Sequence, residues 1–239
     1  MDDDFVTTVA TGIAGGRSDE SKVSWPRGVW SSIYHLHPGR TGSPEAWDDR
    51  AAHAARLGFD AILLASPFAT GAAERPFRVR NFDLLHHDSG GLGADPALAG
   101  FAASLRTLDL TLLLDIAIDK IDRDAGLAAE HPDWFVASDD GLDFRFISDA
   151  DTPVDWWDAR IAAWQKLGIA GFRCEAAHHV PASVWARLIG AAKARDATAM
   201  FIATTFGAPA QAVGKLAGCG FHFAASSSCW WDFRAGWLA

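Results

Sequence analysis

Short apolar segments alternate with amphipathic segments along most of this chain, and that alternation restricts the folds that it can adopt. From about Val29 onward, apolar runs of strand length are followed by runs with helical spacing. Near-continuous apolar strands that alternate with helices are typical of a parallel sheet covered on both faces. Doubly wound sheets and (β/α) barrels both meet that description. The sequence therefore predicts an α/β fold with about six strand–helix units.

Capping and turn residues set the bounds of the predicted elements. Ser43-Pro44 and Asp95-Pro96 combine a helix cap with a proline at the first helical position, and Gly58 and Gly168 end helices. The predicted strands are 29–36, Ala61–Leu64, Thr111–Ile116, 169–173, 200–203 and 221–225. The predicted helices are 43–56, 95–105, 155–167, Ala182–Arg195, 209–216 and 230–237.

Composition excludes several classes of function. The chain has 30 acidic and 21 basic residues, a net charge of −9, which argues against nucleic acid and anionic membranes as partners. No apolar run approaches the roughly 20 residues that a spanning helix needs, and the acidic residues 2–4 are unlike a signal peptide. Three cysteines without CxxC spacing (Cys174, Cys219 and Cys229) predict a reduced compartment. A cytoplasmic protein is expected, and no strand is followed by a nucleotide-binding glycine motif, so no cofactor is predicted.

Ionisable side chains are concentrated where the fourth predicted strand ends. The run from Gly171 to His179 reads Gly-Phe-Arg-Cys-Glu-Ala-Ala-His-His. In α/β barrels the side chains at the carboxyl ends of the strands converge on one mouth, where active sites form. Arg173, Glu175 and one of the two adjacent histidines are therefore candidate site residues. A plain ion pair between Arg173 and Glu175 that holds the strand end is the alternative.

This run resembles the fourth-strand motif of the α-amylase clan of glycoside hydrolases, Gly-x-Arg-x-Asp-x-x-Lys-His. Residues 34–39 and 57–67 resemble the clan's first and second strand units. Residues 114–120 resemble its third-strand motif Asp-x-x-x-Asn-His, of which Asp115 is retained. The run 130–135, Glu-His-Pro-Asp-Trp-Phe, is similar to Glu-His-Pro-Glu-Trp-Phe of the maltosyltransferases that extend α-1,4-glucans from maltose 1-phosphate. The resemblance implies a (β/α)8 TIM barrel, incomplete over 25–239. The polar, Gly-rich and acidic composition of residues 1–24 predicts a flexible lead-in.

The resemblance also implies a set of site residues. Glu175 stands at the nucleophile position, with Arg173 and Asp115 as further catalytic residues. The implied substrate-binding residues are His179, His37, Phe82 and Asp119. Phe82 stands in place of the clan's stacking tyrosine. No metal is implied. The implied partner is an α-glucan or a maltosyl donor, and the rest of a longer polypeptide is a further candidate.

Two substitutions at these positions predict impaired or absent activity. Glu175 replaces the clan's aspartate and moves the carboxylate by about 1.5 Å, whereas attack geometry is sensitive to shifts of about 1 Å. Thr204 stands where the clan has its acid/base glutamate. Retaining enzymes need two carboxyl groups about 5–5.5 Å apart, and loss of acid–base catalysis costs about 10²–10⁴ in rate.

Two other classes of function remain open from the sequence. A barrel without the acid/base could be a non-catalytic α-glucan-binding or structural domain. A metal-dependent hydrolase is the second alternative, because histidines and carboxylates near strand ends suit zinc. Its candidate ligands are His35, His37, Lys120, His178 or His179, and His222.

Overall fold

A computed structural model of the chain describes residues 32–71, 75–86, 93–146 and 152–225. The predicted lead-in 1–24, the predicted helix 230–237 and Cys229 lie outside these ranges. The strands are β1 Ile33–Leu36, β2 Ala61–Leu64, β3 Phe68–Thr70, β4 Val79–Leu85, β5 Thr111–Ile116, β6 Lys120–Ile121, β7 Phe135–Ser138, β8 Gly141–Phe144, β9 Ile169–Cys174, β10 Met200–Thr204 and β11 Phe223–Ala225. The helices are α1 Pro38–Thr41, α2 Pro44–Arg56, α3 Ala94–Thr107, α4 Gly126–Glu130, α5 Thr152–Leu167, α6 Ala182–Arg195 and α7 Ala210–Gly214. Short 3₁₀ turns span Pro132–Trp134 and Ala177–His179.

Six parallel strands form the central sheet, in the order β1-β2-β5-β9-β10-β11. The sheet is curved, and with its helices it forms an incomplete (β/α) barrel. This arrangement confirms the predicted fold class. It also confirms three elements to the residue, namely β2, β5 and α6.

The main core lies between the sheet and its helices. Side chains of one strand face, such as Leu64, Leu114 and Phe172, pack there against helical tryptophans such as Trp157 and Trp164, which are fully buried. Because side chains alternate along a strand, their neighbours in sequence face the other side of the sheet. The helices therefore cover the face that carries Leu64, Leu114 and Phe172, which is the convex face of the curved sheet.

The concave face carries a smaller apolar cluster and then a polar rim. Ala61, Leu63 and Leu113 form that cluster with Ile33 packed against it. Two residues further along β5, in the same alternation, lies Asp115, and Arg173 is its register partner on β9. The curvature of the sheet thus gathers the polar side chains at the carboxyl ends of the strands.

Two small antiparallel sheets follow the carboxyl ends of β2 and β5, and the sequence did not predict them. β3 pairs with β4, and β6, β8 and β7 form the second, which we call the inserted sheet. Their strands have two to seven residues and carry many polar side chains, so they lack a clear apolar pattern. Both sheets lie on the side of the barrel where the candidate site residues are.

Element ends differ from prediction where local hydrogen bonding extends or shortens a segment. Helix α3 runs two residues past the predicted end, α5 begins at Thr152, and α7 ends at Gly214. Strand β11 begins two residues later than predicted, at Phe223, and the preceding residue His222 donates its backbone N–H to Phe201 O. None of the helices in the described ranges has the length and apolarity to cross a membrane.

Candidate active site at the rim of the sheet

Asp115 and Arg173 form a buried ion pair at the centre of the rim. Arg173 Nε donates to Asp115 Oδ1 at 3.0 Å, and Nη2 donates to Oδ2. Burial raises the pKa of Asp115, and the guanidinium opposes that rise. Burial lowers the pKa of Arg173, but the charge and hydrogen bonds of Asp115 outweigh that effect, so the pKa of Arg173 is raised above its usual value. The hydrogen-bonded partner of Arg173 is Asp115 rather than Glu175.

His35 on β1 and His37, which directly follows that strand, lie beside this pair. His35 Nε2 is 3.3 Å from Arg173 Nη2, and the two imidazole rings are 4.4 Å apart between centroids. Burial, then the charges of Arg173 and His37, lower the pKa of His35 to about 3. His35 is therefore neutral, and Nε2 accepts the guanidinium N–H. Sequence reasoning considered His35 only as a metal ligand, although its alternation with His37 could have placed it at the rim.

Glu175 directly follows β9 at the same rim. Its backbone N–H donates to Ile116 O at 2.8 Å, and the next residue, Ala176, has a left-handed φ of 44°. Burial and then the charge of Asp115 raise the pKa of the Glu175 carboxyl, while Arg173 and Lys120 oppose the rise. In the alternation of β9, Glu175 falls on the same side of the chain as Arg173, two residues before it.

Asp119 and His179, both predicted to bind substrate, meet across the rim. Asp119 Oδ2 lies 3.1 Å from His179 Nδ1 and 3.5 Å from Lys120 Nζ. His179 is half-exposed, and its ring lies 4.3 Å from that of His178. This group brings together a carboxylate, an ammonium and an imidazole, all able to hydrogen-bond a sugar hydroxyl. His179 is its exposed member, whereas the side chains of Asp119 and Lys120 are only 11% and 19% exposed.

Thr204 ends β10 at the rim and is 1% exposed. Its Oγ1 has no hydrogen-bond partner among the described residues, whereas Thr205 Oγ1 donates to Ala225 O at 3.1 Å. A threonine hydroxyl does not ionise near neutral pH, so Thr204 offers no general acid. Because Ala203 pairs with Cys174 in the β9–β10 ladder, Thr204 and Glu175 follow that pair at the end of the sheet where Asp115 and Arg173 lie.

Phe82 is the predicted site residue that the structure does not bring to this group. It is 8% exposed and packs edge-to-face against Trp156 and Trp157, with centroids 5.5 and 5.4 Å away. Phe68 and Trp164 enclose it further. The ring face expected for a sugar is therefore occupied by the core.

Beside His37, a cleft of about 190 Å³ opens between the ends of β1 and β2. Its lining includes Arg40, Ser66 and Thr70. Ordinary small-molecule pockets have about 300–1,000 Å³, so this cleft is a shallow extension of the rim. Within the ranges that the structure describes, no three histidine, cysteine or carboxylate side chains converge as a metal site.

The chain is similar in sequence to two known maltosyltransferases. The chain is 30% identical to an α-1,4-glucan:maltose-1-phosphate maltosyltransferase from Burkholderia pseudomallei, over 87% of its own length. It is 24% identical, over 86% of its length, to the protein of that name from Corynebacterium glutamicum. The chain spans 20% and 37% of these two relatives. A scan against models of known protein families matched none.

Solved structures share the fold. A maltogenic alpha-amylase from Thermotoga neapolitana superposes with a TM-score of 0.68 at 17% identity, over 85% of this chain and 50% of the amylase. An alpha-amylase from Lactobacillus plantarum gives 0.63 at 18% identity, over 72% of this chain and 44% of that one. The chain thus has the fold of these alpha-amylases, a (β/α) barrel that is incomplete over the described residues. Its sequence is maltosyltransferase-like.

Proposed function

We propose that this chain is an α-glucan-active, maltosyltransferase-like domain whose transfer chemistry is impaired. The observation that carries the proposal is the rim itself, where the Asp115–Arg173 pair and Glu175 stand beside Thr204. The first three are the groups that a retaining glycosyl transfer uses for binding and attack, and the fourth cannot replace the acid. The names of the sequence relatives supply the substrate class, an α-1,4-glucan and a maltosyl donor.

Each rim residue has a role in this proposal. The Glu175 carboxylate attacks the anomeric carbon; burial and then the charge of Asp115 raise the pKa of its carboxyl, and the charge of Arg173 opposes that rise. Arg173 also fixes Asp115, whose side chain is fully buried, and the half-exposed His179 hydrogen-bonds the sugar. His37 and the adjoining cleft border the same mouth. The charged pair is held in place before substrate arrives, so its orientation costs nothing on binding.

The missing acid sets which donors react. The leaving group of an ordinary glucan donor departs as an alkoxide unless its glycosidic oxygen is protonated, and Thr204 has no proton to give at neutral pH. A fluoride leaving group needs no proton. In the first half-reaction with α-maltosyl fluoride, the bond from the anomeric carbon to a Glu175 carboxylate oxygen forms, the carbon–fluorine bond breaks, and fluoride departs with the electron pair.

The test of the proposal is capture of that covalent intermediate. Purified chain is incubated with α-maltosyl fluoride, and intact mass and peptide mapping are recorded, with Glu175→Gln as the matched control. We expect a maltosyl adduct on Glu175 that the control lacks. Thr204→Glu is expected to raise turnover of ordinary α-glucan donors such as maltoheptaose, whose leaving group needs the proton. No adduct on Glu175 together with no gain from Thr204→Glu would exclude the enzymatic function for this chain.

A non-catalytic α-glucan-binding domain is the second candidate, and Thr204 is the observation that favours it. Affinity electrophoresis in glycogen, with maltoheptaose as competitor, distinguishes the two candidates. Retarded migration without any adduct supports binding alone. Asp119→Asn is expected to weaken retardation, while Arg56→Gln, at the end of α2, serves as a surface control. Migration unchanged by glycogen would contradict both candidates.

The metal-dependent alternative finds little support at the rim. Arg173 lies 3.3 Å from the ring nitrogen of His35, and its charge would repel a divalent cation there. His222 Nδ1 accepts the N–H of Phe201 at 3.1 Å, which engages one of its two ligand nitrogens. We therefore do not propose a metal centre at these histidines.

A further inference from the structure

Arg78, which directly precedes β4, is buried away from the rim pair. It is 6% exposed, and a charged side chain is almost never buried to that extent without partners. Neither the resemblance nor the proposed chemistry gives it a role. The contacts of its guanidinium indicate one.

The guanidinium contacts all three strands of the inserted sheet. Nη1 donates to the backbone oxygen of Leu142 on β8 at 2.8 Å and to that of Ile121 on β6 at 3.3 Å. Nη2 donates to Ser138 Oγ on β7 at 3.3 Å. The carboxylates of Asp143 and Asp140 accept further bonds from the same fork. A planar fork with five donors can bridge three strands in this way, and a lysine ammonium cannot.

The inserted sheet leaves space for this fork at Gly141. A Cβ on Gly141 would lie 2.7 Å from Ile121 O and 3.0 Å from Arg78 Nη1. Any side chain there would have to displace the guanidinium or the β6 backbone. A backbone bond from Asp122 N to Val79 O, 3.0 Å long, ties the same two segments together.

The inserted sheet carries two residues of the candidate site. Lys120 pairs with Asp143 in the β6–β8 ladder, and Phe144 N donates to Asp119 O at 2.8 Å. Ile121, whose carbonyl accepts the Arg78 bond, is one residue from Lys120 and two from Asp119. The position of the sheet therefore determines where the Asp119 carboxylate meets His179.

We propose that Arg78 is a positioning residue that holds the inserted sheet against the rim and so sets Asp119 and Lys120 in the candidate site. Its effect on glucan binding rests on the proposed function; its effect on the position of the sheet does not. Arg78 acts through backbone carbonyls and touches no substrate.

Amide hydrogen exchange tests the positional effect without a ligand. In Arg78→Met, we expect the Phe144 amide, protected by Asp119 O, to exchange on the order of tenfold faster or more, because several charge-assisted bonds are lost. Gly141→Ala, which keeps the arginine but removes its space, should have the same effect. The control is Arg75→Met, since Arg75 is half-exposed and pairs with Asp140 alone among the groups of this cluster. Amides of β5 and β9 should keep their rates in all three variants.

Two exchange results would overturn the proposal: an unchanged Phe144 amide in Arg78→Met, or equal acceleration in β5 and β9. Calorimetric titration with maltoheptaose then tests the functional link. Arg78→Met should weaken binding about as much as Asp119→Asn does, and the double variant should lose little more. Additive losses would overturn the link through Asp119. A wild-type chain that binds no maltoheptaose would overturn the proposed function instead, while the exchange result would still decide the role of Arg78.

Discussion

At the scale of single residues, Thr204 and Thr205 give a matched pair of buried hydroxyls. Both are nearly fully buried, but among the described residues only Thr205 Oγ1 has a hydrogen-bond partner. Thr204→Val should leave the free energy of unfolding unchanged or raise it by up to about 1 kcal/mol, because it removes an unsatisfied group. Thr205→Val should lower it by about 1 kcal/mol. Urea denaturation measures both, and equal losses would mean that Thr204 has a partner.

The rim also predicts a dependence of stability on pH. The folded state holds the pKa of His35 at about 3, against a usual 6.5, so the unfolded chain binds its proton first as pH falls. The titration of His35 contributes nothing to the free energy of unfolding above about pH 6.5, and it lowers that free energy increasingly below this pH. At about pH 4.5 this loss reaches at most about 3 kcal/mol.

His35→Gln, which keeps an acceptor for Arg173, isolates this contribution. Urea denaturation of wild type and variant at about pH 7.5 and pH 4.5 gives the difference between them at each pH. Relative to wild type, the variant should have a higher free energy of unfolding at the lower pH than at the higher one, because it has no imidazole to protonate. A gap that does not move between the two pH values contradicts a buried, neutral His35.

The convergence of Asp115 and Arg173 was predictable because both follow the alternation of their strands. Which group pairs with Arg173 was not, since Asp115 and Glu175 are both carboxylates within reach. The burial of Phe82 was not predictable either. It depends on Trp156 and Trp157, more than seventy positions away in the chain, and no local pattern links them.

At the scale of elements, Gly171 shows how closely β9 and β10 approach. A Cβ there would lie 2.6 Å from Met200 O and 2.9 Å from Leu113 Cδ2. Gly171→Ala should therefore lower the free energy of unfolding by about 1–3 kcal/mol, the usual cost of overpacking. Gly190→Ala is the control, because this exposed α6 position has nothing within 4 Å of an added Cβ. It should gain about 0.5–1 kcal/mol. Thermal unfolding compares the two, and a neutral Gly171→Ala would contradict the close approach.

The central strands and helices were predictable because each is long enough to show its own apolar period. β2, β5 and α6 have their predicted bounds for that reason. The inserted sheet was not, because its position is fixed by tertiary contacts such as those of Arg78 and not by its own pattern. In the proposal above, Arg78 fixes the inserted sheet, which the sequence did not predict, and through that sheet it positions Asp119 and Lys120.

At the scale of the whole molecule, the two edges of the central sheet decide how the chain behaves in solution. Among the described residues, β1 pairs only with β2, and β11 pairs only with β10. A complete barrel of this type closes eight strands on themselves and has no edges. Open edges present unpaired backbone N–H and C=O groups to other chains.

We expect the purified 239-residue chain to self-associate as its concentration rises, and sedimentation velocity over a concentration series measures this. Ala225→Lys puts a charge on the β11 edge and should move association to about tenfold higher concentration, because a charged edge strand resists pairing. Leu57→Lys is the control for added charge, since Leu57 is exposed at the end of α2 and does not belong to β11. If the wild type sediments as a monomer throughout, both edges are covered and association through them is excluded. Equal shifts in the two variants would assign the association to net charge rather than to the β11 edge.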